Sequence, residues 1–197
     1  MRRPRLSLVL VAFLVLVGWG PANAVPPERA DVMDQGGGAV YAPDGAKLVR
    51  QADGIAASVT MPTPEPGTYQ YPVGTEPGHP EVFTLWMFVF NHPENCATPF
   101  ECGPGDFTNE NVRFGVYNPA GHVTGGGKLT LSGRVGVGDE PEPPPPGVVN
   151  DFPLSNPAGA EIHLAVTSHG ALDPATLPEE FRIPTGPPDR WWVALFR

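Results

Sequence analysis

Val82-Phe83-Thr84-Leu85-Trp86-Met87-Phe88-Val89-Phe90 decides how this chain folds. The run is aromatic and β-branched with a single polar side chain, Thr84, a composition that fits a pleated strand. Alternation sends Phe83, Leu85, Met87 and Val89 to one face and Thr84, Trp86, Phe88 and Phe90 to the other. Both faces are apolar, so the strand is central and covered on both sides. A sheet in a two-layer stack has one wet face. The second face of this strand therefore needs a cover: a loop, the C-terminal segment or another protein.

Outward from this strand the chain continues in short β elements. Lys47–Gln51 and Ile55–Met61 flank Asp53-Gly54, a tight-hairpin dipeptide. Val112–Tyr117 reads as a strand that ends at Asn118-Pro119-Ala120-Gly121, which has type I turn composition. Gly125-Gly126-Gly127 bends the chain into Lys128–Val137, where Leu129, Leu131, Gly133, Val135 and Val137 share a buried face. In Glu161–Ser168, Ile162, Leu164 and Val166 share one face, and Glu161, His163, Ala165 and Thr167 the other. Trp191–Phe196 reads as a terminal strand in which the adjacent Trp191 and Trp192 face opposite ways. Asp173-Pro174 is the start signal of one short helix. With 24 Gly and 27 Pro, long helices are excluded. The expected fold is all-β: an antiparallel β-sandwich of about eight strands with long Pro/Gly-rich loops and one short helix. Residues 47–197 form its single domain, residues 25–46 a flexible leader, and Gly138–Gly147 a polyproline-like surface loop.

Residues 1–24 read as a signal peptide. Arg2, Arg3 and Arg5 precede an apolar run, Leu6–Val17, and Ala22-Asn23-Ala24 is an A-x-A site, so cleavage is expected between Ala24 and Val25. The apolar run is too short to span about 30 Å of hydrocarbon comfortably, and no span follows it. The mature chain is thus expected to be secreted or extracytoplasmic. The signal holds three of the 12 basic side chains and none of the 21 acids, so the remainder carries a net charge of −12. Such a surface repels phosphate backbones and anionic lipid, which excludes nucleic acid as the natural partner. In an oxidising compartment Cys96 and Cys102 are expected to pair as a structural disulfide.

Four blocks carry a resemblance: Thr84-Leu85-Trp86 running into Phe90-Asn91-His92-Pro93-Glu94-Asn95-Cys96; Cys102-Gly103; Ala120-Gly121-His122-Val123; and Gly159-Ala160-Glu161-Ile162-His163-Leu164 through Ser168-His169-Gly170. Together they resemble a group of secreted bacterial β-proteins of unassigned function. The resemblance implies a β fold and an exported location and brings no activity with it.

No G-x-S-x-G elbow, P-loop or dinucleotide fingerprint is present, and Ser168 beside His169 is only adjacency in sequence. No catalytic residue is assigned. The leading expectation is a non-enzymatic binding or structural role, with a cell-envelope component or another protein as partner and no cofactor. Two alternatives stand beside it. His92, His122, His163 and His169 are candidate ligands of zinc or copper if the fold brings them together. Trp86, Trp191, Trp192, Tyr69 and Tyr71 are candidate stacking platforms of a carbohydrate-binding module.

Overall fold

The computed structural model describes residues 26–36, 38–64, 80–143, 148, 151–182 and 191–197. The expected cleavage site at Ala24 and Val25, and Tyr69 and Tyr71, lie outside the described residues. Among the described residues there are eight strands: β1 Glu28–Asp34, β2 Val40–Gln51, β3 Gly54–Pro62, β4 Glu81–Phe90, β5 Phe114–Thr124, β6 Lys128–Gly136, β7 Glu161–Ala171 and β8 Trp192–Phe196. All pairings are antiparallel, in the order β5-β4-β7-β8-β1-β2-β3-β6.

The all-β antiparallel expectation and its strand number hold. The arrangement differs in one respect: the strands make one nearly closed sheet where two stacked sheets were expected. The reason lies at the two ends of the strand order. β5 and β6 are joined by the Gly125-Gly126-Gly127 bend and lie side by side, so the sheet curls back on itself. At this seam a Cβ on Gly133 of β6 would collide with the Pro119 carbonyl of β5, so the close approach requires glycine.

Three segments differ from the expectations. The expected flexible leader, residues 25–46, is largely strand: residues 28–34 form β1, which pairs with both β2 and β8, and residues 40–46 are the first part of β2. Asn118–Gly121 is not a turn. β5 runs through it with a bulge opposite Leu85 and Met87, and Pro119 is tolerated because β5 has no ladder on its far side. The expected helix is one turn, Leu177–Glu180, preceded by Asp173, whose carboxylate accepts the Ala175 N–H at 2.9 Å.

The barrel interior is filled by alternate residues. Phe83, Leu85, Met87 and Val89 of β4 meet Ile162, Leu164 and Val166 of β7, and Trp192, Ala194 and Phe196 of β8. Burying side chains of this kind stabilises by roughly 1.5–3 kcal/mol each. Trp192 points inward against Tyr41 and Phe83, whereas Trp191 packs on the outer cluster, as their adjacency requires. Leu154 closes one end, its N–H donating to the Tyr117 hydroxyl at 2.7 Å.

Candidate functional site

The outer face of β4 is covered from within the chain. Cys96 and Cys102 form the expected disulfide. Just beyond Cys102 the buried Asp106 carboxylate accepts the Ala97 N–H at 2.8 Å and the Gly103 N–H at 2.9 Å, strapping both ends of the disulfide loop together. The next residue, Phe107, is thereby laid on the strand. Its ring stacks on Phe114 at 4.4 Å and on Phe88 and Phe90, both at 6.1 Å. From the opposite side Trp191 stacks on Phe88 at 6.2 Å. Burial of Trp86 follows, at 1% exposure, while Met87, on the inner face, is at 0% through the barrel interior.

Among the described residues this cover is incomplete, and what it leaves is a groove. Trp86 of β4, Ala165 of β7 and Val193 of β8 lie directly abreast, as do Phe88, His163 and Leu195. The small Ala165 between large neighbours makes a depression. The larger lobe, about 400 Å³, has Ala165 and Val193 beneath it and Phe107, Trp191 and the exposed Leu195 around it. The smaller lobe, about 170 Å³, reaches Phe114 and Val116. The two share Phe88, Phe107 and Trp191, so they are parts of one aromatic groove. Its polar groups are few: His163, Gln35 and the Gly103 backbone in the larger lobe, Glu142 and Arg182 in the smaller.

His163 is held from behind. Its Nε2 lies 2.7 Å from Glu161 Oε1, and its ring packs on Phe90 with centroids 4.9 Å apart. Glu161 is fully buried, accepts the Cys102 N–H at 3.3 Å on both oxygens, and has Arg197 Nε 3.7 Å away. A carboxylate that already accepts from a backbone amide acts as acceptor toward the imidazole, so Nε2 carries the hydrogen.

A second polar knot lies under the cover. Thr84 Oγ1 accepts from Trp86 Nε1 at 2.9 Å and lies 2.8 Å from both Thr167 Oγ1 and His169 Nε2. Burial pushes the His169 imidazole down to about 4, so the ring is neutral at pH 7 and its bond with the Thr84 hydroxyl joins uncharged groups.

The four candidate metal ligands therefore meet four different fates. His92 Nδ1 pairs with exposed Glu94 at 3.1 Å, His163 with Glu161 and His169 with Thr84, while His122 is exposed on β5. Among the described residues no three His, Cys, Asp or Glu side chains converge on a metal position. Ser168 and His169 do not act together either: Ser168 Oγ accepts the Gly170 N–H. Of the candidate sugar platforms, Trp86 and Trp192 are buried, Trp86 forming part of the wall of the smaller lobe, and Trp191 lines both lobes. The sequence reading missed Phe107, Ala165 and Leu195. The one signal pointing to them was the two-faced apolar character of β4, which demanded a cover without naming it. Comparison with known proteins leaves this geometry to stand by itself: no family model, curated protein or solved structure matches the chain.

Proposed function

We propose that the mature chain acts outside the cytoplasm as a non-enzymatic binding protein that holds a small, flat, apolar molecule in the groove between Phe107 and Trp191. The observation that carries this reading is the groove itself. Two joined concavities are lined by stacked aromatic rings on the outer face of a barrel whose interior is already filled. Apolar concavities of some hundreds of Å³ with few polar groups are what small-molecule sites look like.

The walls discriminate among occupants. A sugar would bring many hydroxyls against a surface with few partners, and each buried unpaired group costs about 1–3 kcal/mol. An extended peptide would need a free strand edge, but β7 is laddered to β4 and β8, and β8 to β7 and β1. A flat hydrocarbon ring system meets neither obstacle. The A-x-A leader and the disulfide support the extracytoplasmic assignment.

Titration of the mature protein with naphthalene, followed by tryptophan fluorescence, tests the reading. Saturable micromolar binding is expected, and Ala165→Leu, which fills the depression, should abolish it while leaving the melting transition in place. Absence of saturable binding, or undiminished binding by Ala165→Leu, would refute it.

A further inference from the structure

We propose that the larger lobe of the groove selects flat aromatic molecules that bear a free hydroxyl, with His163 as the group that receives the hydroxyl's hydrogen bond. The inference rests on the groove being a ligand site and adds the chemical class of the ligand.

Among the described residues His163 is the one imidazole that lines the groove. The fold fixes its hydrogen-bonding polarity through a chain of three links. The disulfide loop presents the Cys102 N–H to Glu161 at 3.3 Å. Glu161, buried with Arg197 at 3.7 Å, presents a carboxylate oxygen to His163 Nε2 at 2.7 Å. An imidazole that donates through Nε2 keeps one other ring nitrogen, Nδ1, and in that tautomer Nδ1 is an acceptor. The ring cannot readily turn to exchange its nitrogens, because it is packed on Phe90. A ligand that stacks beside Phe88 and reaches along the row Phe88–His163–Leu195 thus meets an apolar surface and then an acceptor.

Charge narrows the class further. A ligand carboxylate would approach Glu161, which stands immediately behind His163, on a chain with a net charge of −12 without its leader. An anion is disfavoured there, and a bare acceptor such as an ether or ketone finds no hydrogen at Nδ1 in the tautomer that donates through Nε2. A neutral donor fits. A hydroxyl supplies one hydrogen, needs one acceptor, and adds little polar surface to desolvate. The acceptor is also wide of the sheet's own ladder, since the backbone groups of β7 are engaged by β4 and β8.

The test compares three probes of the same ring system on the full mature chain at neutral pH: 2-naphthol, 2-methoxynaphthalene and naphthalene. The expected result is that 2-naphthol binds about tenfold more tightly than 2-methoxynaphthalene, the methyl ether having lost the donor. In His163→Phe, which keeps a ring of similar size, the two should bind equally and naphthalene at least as well as before. The ratio in the unaltered protein needs no variant, so a folding failure of His163→Phe leaves the test intact. Equal affinities of 2-naphthol and 2-methoxynaphthalene in the unaltered protein would overturn the hydroxyl inference while the groove reading stands. A tenfold preference that survives His163→Phe would overturn the role of His163. Failure of all three probes to bind would remove the groove reading itself and the inference with it.

Discussion

Replacing Thr84 by Val removes one oxygen from the polar knot beneath the cover of β4 and changes almost nothing else, because the two side chains have the same shape. The cost follows from counting what that oxygen holds. Trp86 Nε1 donates to it at 2.9 Å, and among the described residues that N–H has no other acceptor. Thr167 Oγ1 and His169 Nε2 each lie 2.8 Å from it, but they are also 3.4 Å from one another and can keep a weak bond after the change. One buried donor is therefore orphaned outright and two groups are left poorly paired. At about 1–3 kcal/mol for a stranded buried group, with a fraction more for the weakened pair, Thr84→Val should cost about 2–4 kcal/mol. Thr60 supplies the control. Its Oγ1 lies 3.2 Å from Thr130 Oγ1 in a matching cross-strand pair, but that pair is exposed, so Thr60→Val should change stability by less than about 0.5 kcal/mol. Urea unfolding of both variants, read by tryptophan fluorescence, gives the comparison. If Thr84→Val cost no more than Thr60→Val, the knot would contribute nothing as a network and the account of β4 as doubly covered would fail at that point.

Leu85→Ala, at a fully buried interior position, should lower unfolding free energy by about 2–5 kcal/mol in the same urea assay. Removing the disulfide by Cys96→Ala with Cys102→Ala releases a loop of sequence separation 6, worth about 2–2.5 kcal/mol by chain entropy, and should show as a lower melting temperature. Burial lowers His169 from its ordinary 6.5 to about 4 and raises Glu81 from 4.5 to about 7. The two act in opposite directions. A lowered imidazole makes the unfolded chain bind more protons between pH 6.5 and 4, so stability falls as the pH drops through that window. A raised carboxyl makes the folded chain bind more between 4.5 and 7, so stability falls as the pH rises. In Glu81→Gln the His169 limb should therefore stand alone, with stability declining from pH 6.5 to 4 by on the order of 2–3 kcal/mol. A flat profile in that variant would contradict the burial of His169. N-terminal sequencing of the exported protein should begin Val25-Pro26-Pro27.

The sequence made β4 legible because nine residues carried two apolar faces, and a strand with two such faces has only one kind of place to be. It made Trp191 and Trp192 legible because neighbours in a strand cannot share a side. β1 was hidden by its acids and the surrounding prolines and glycines, which are as common in a leader as in a strand that gains its stability from β2 and β8. Pro119 misled because composition marks a turn, whereas its tolerance inside β5 depends on the strand having no ladder on one side, a fact of topology. The groove was illegible for a related reason. Phe107, Ala165, Trp191 and Leu195 come from three separated stretches of chain, and the concavity arises from a small side chain between large ones. The four histidines looked like a set because they sit in the blocks that carry the resemblance; three have unrelated local partners and the fourth, His122, is exposed.

The seam between β5 and β6 makes this barrel a slit tube, shut along one line by contact and strapping instead of by a ladder. On the β5 side the straps are borrowed from the following loop: the Glu142 N–H reaches the Val116 carbonyl at 2.8 Å, and Asp151 bridges to Gly115. Farther along the slit, Pro119 is pressed against Gly133. A tube of this kind breathes first along its slit, so hydrogen exchange should be fastest there and slowest in β4 and β7, which are laddered on both sides. Yet the slit does not become adhesive where it opens at Pro119. A proline edge offers no N–H to a foreign strand, so a transient gap at that point closes again on its own chain before it can recruit another.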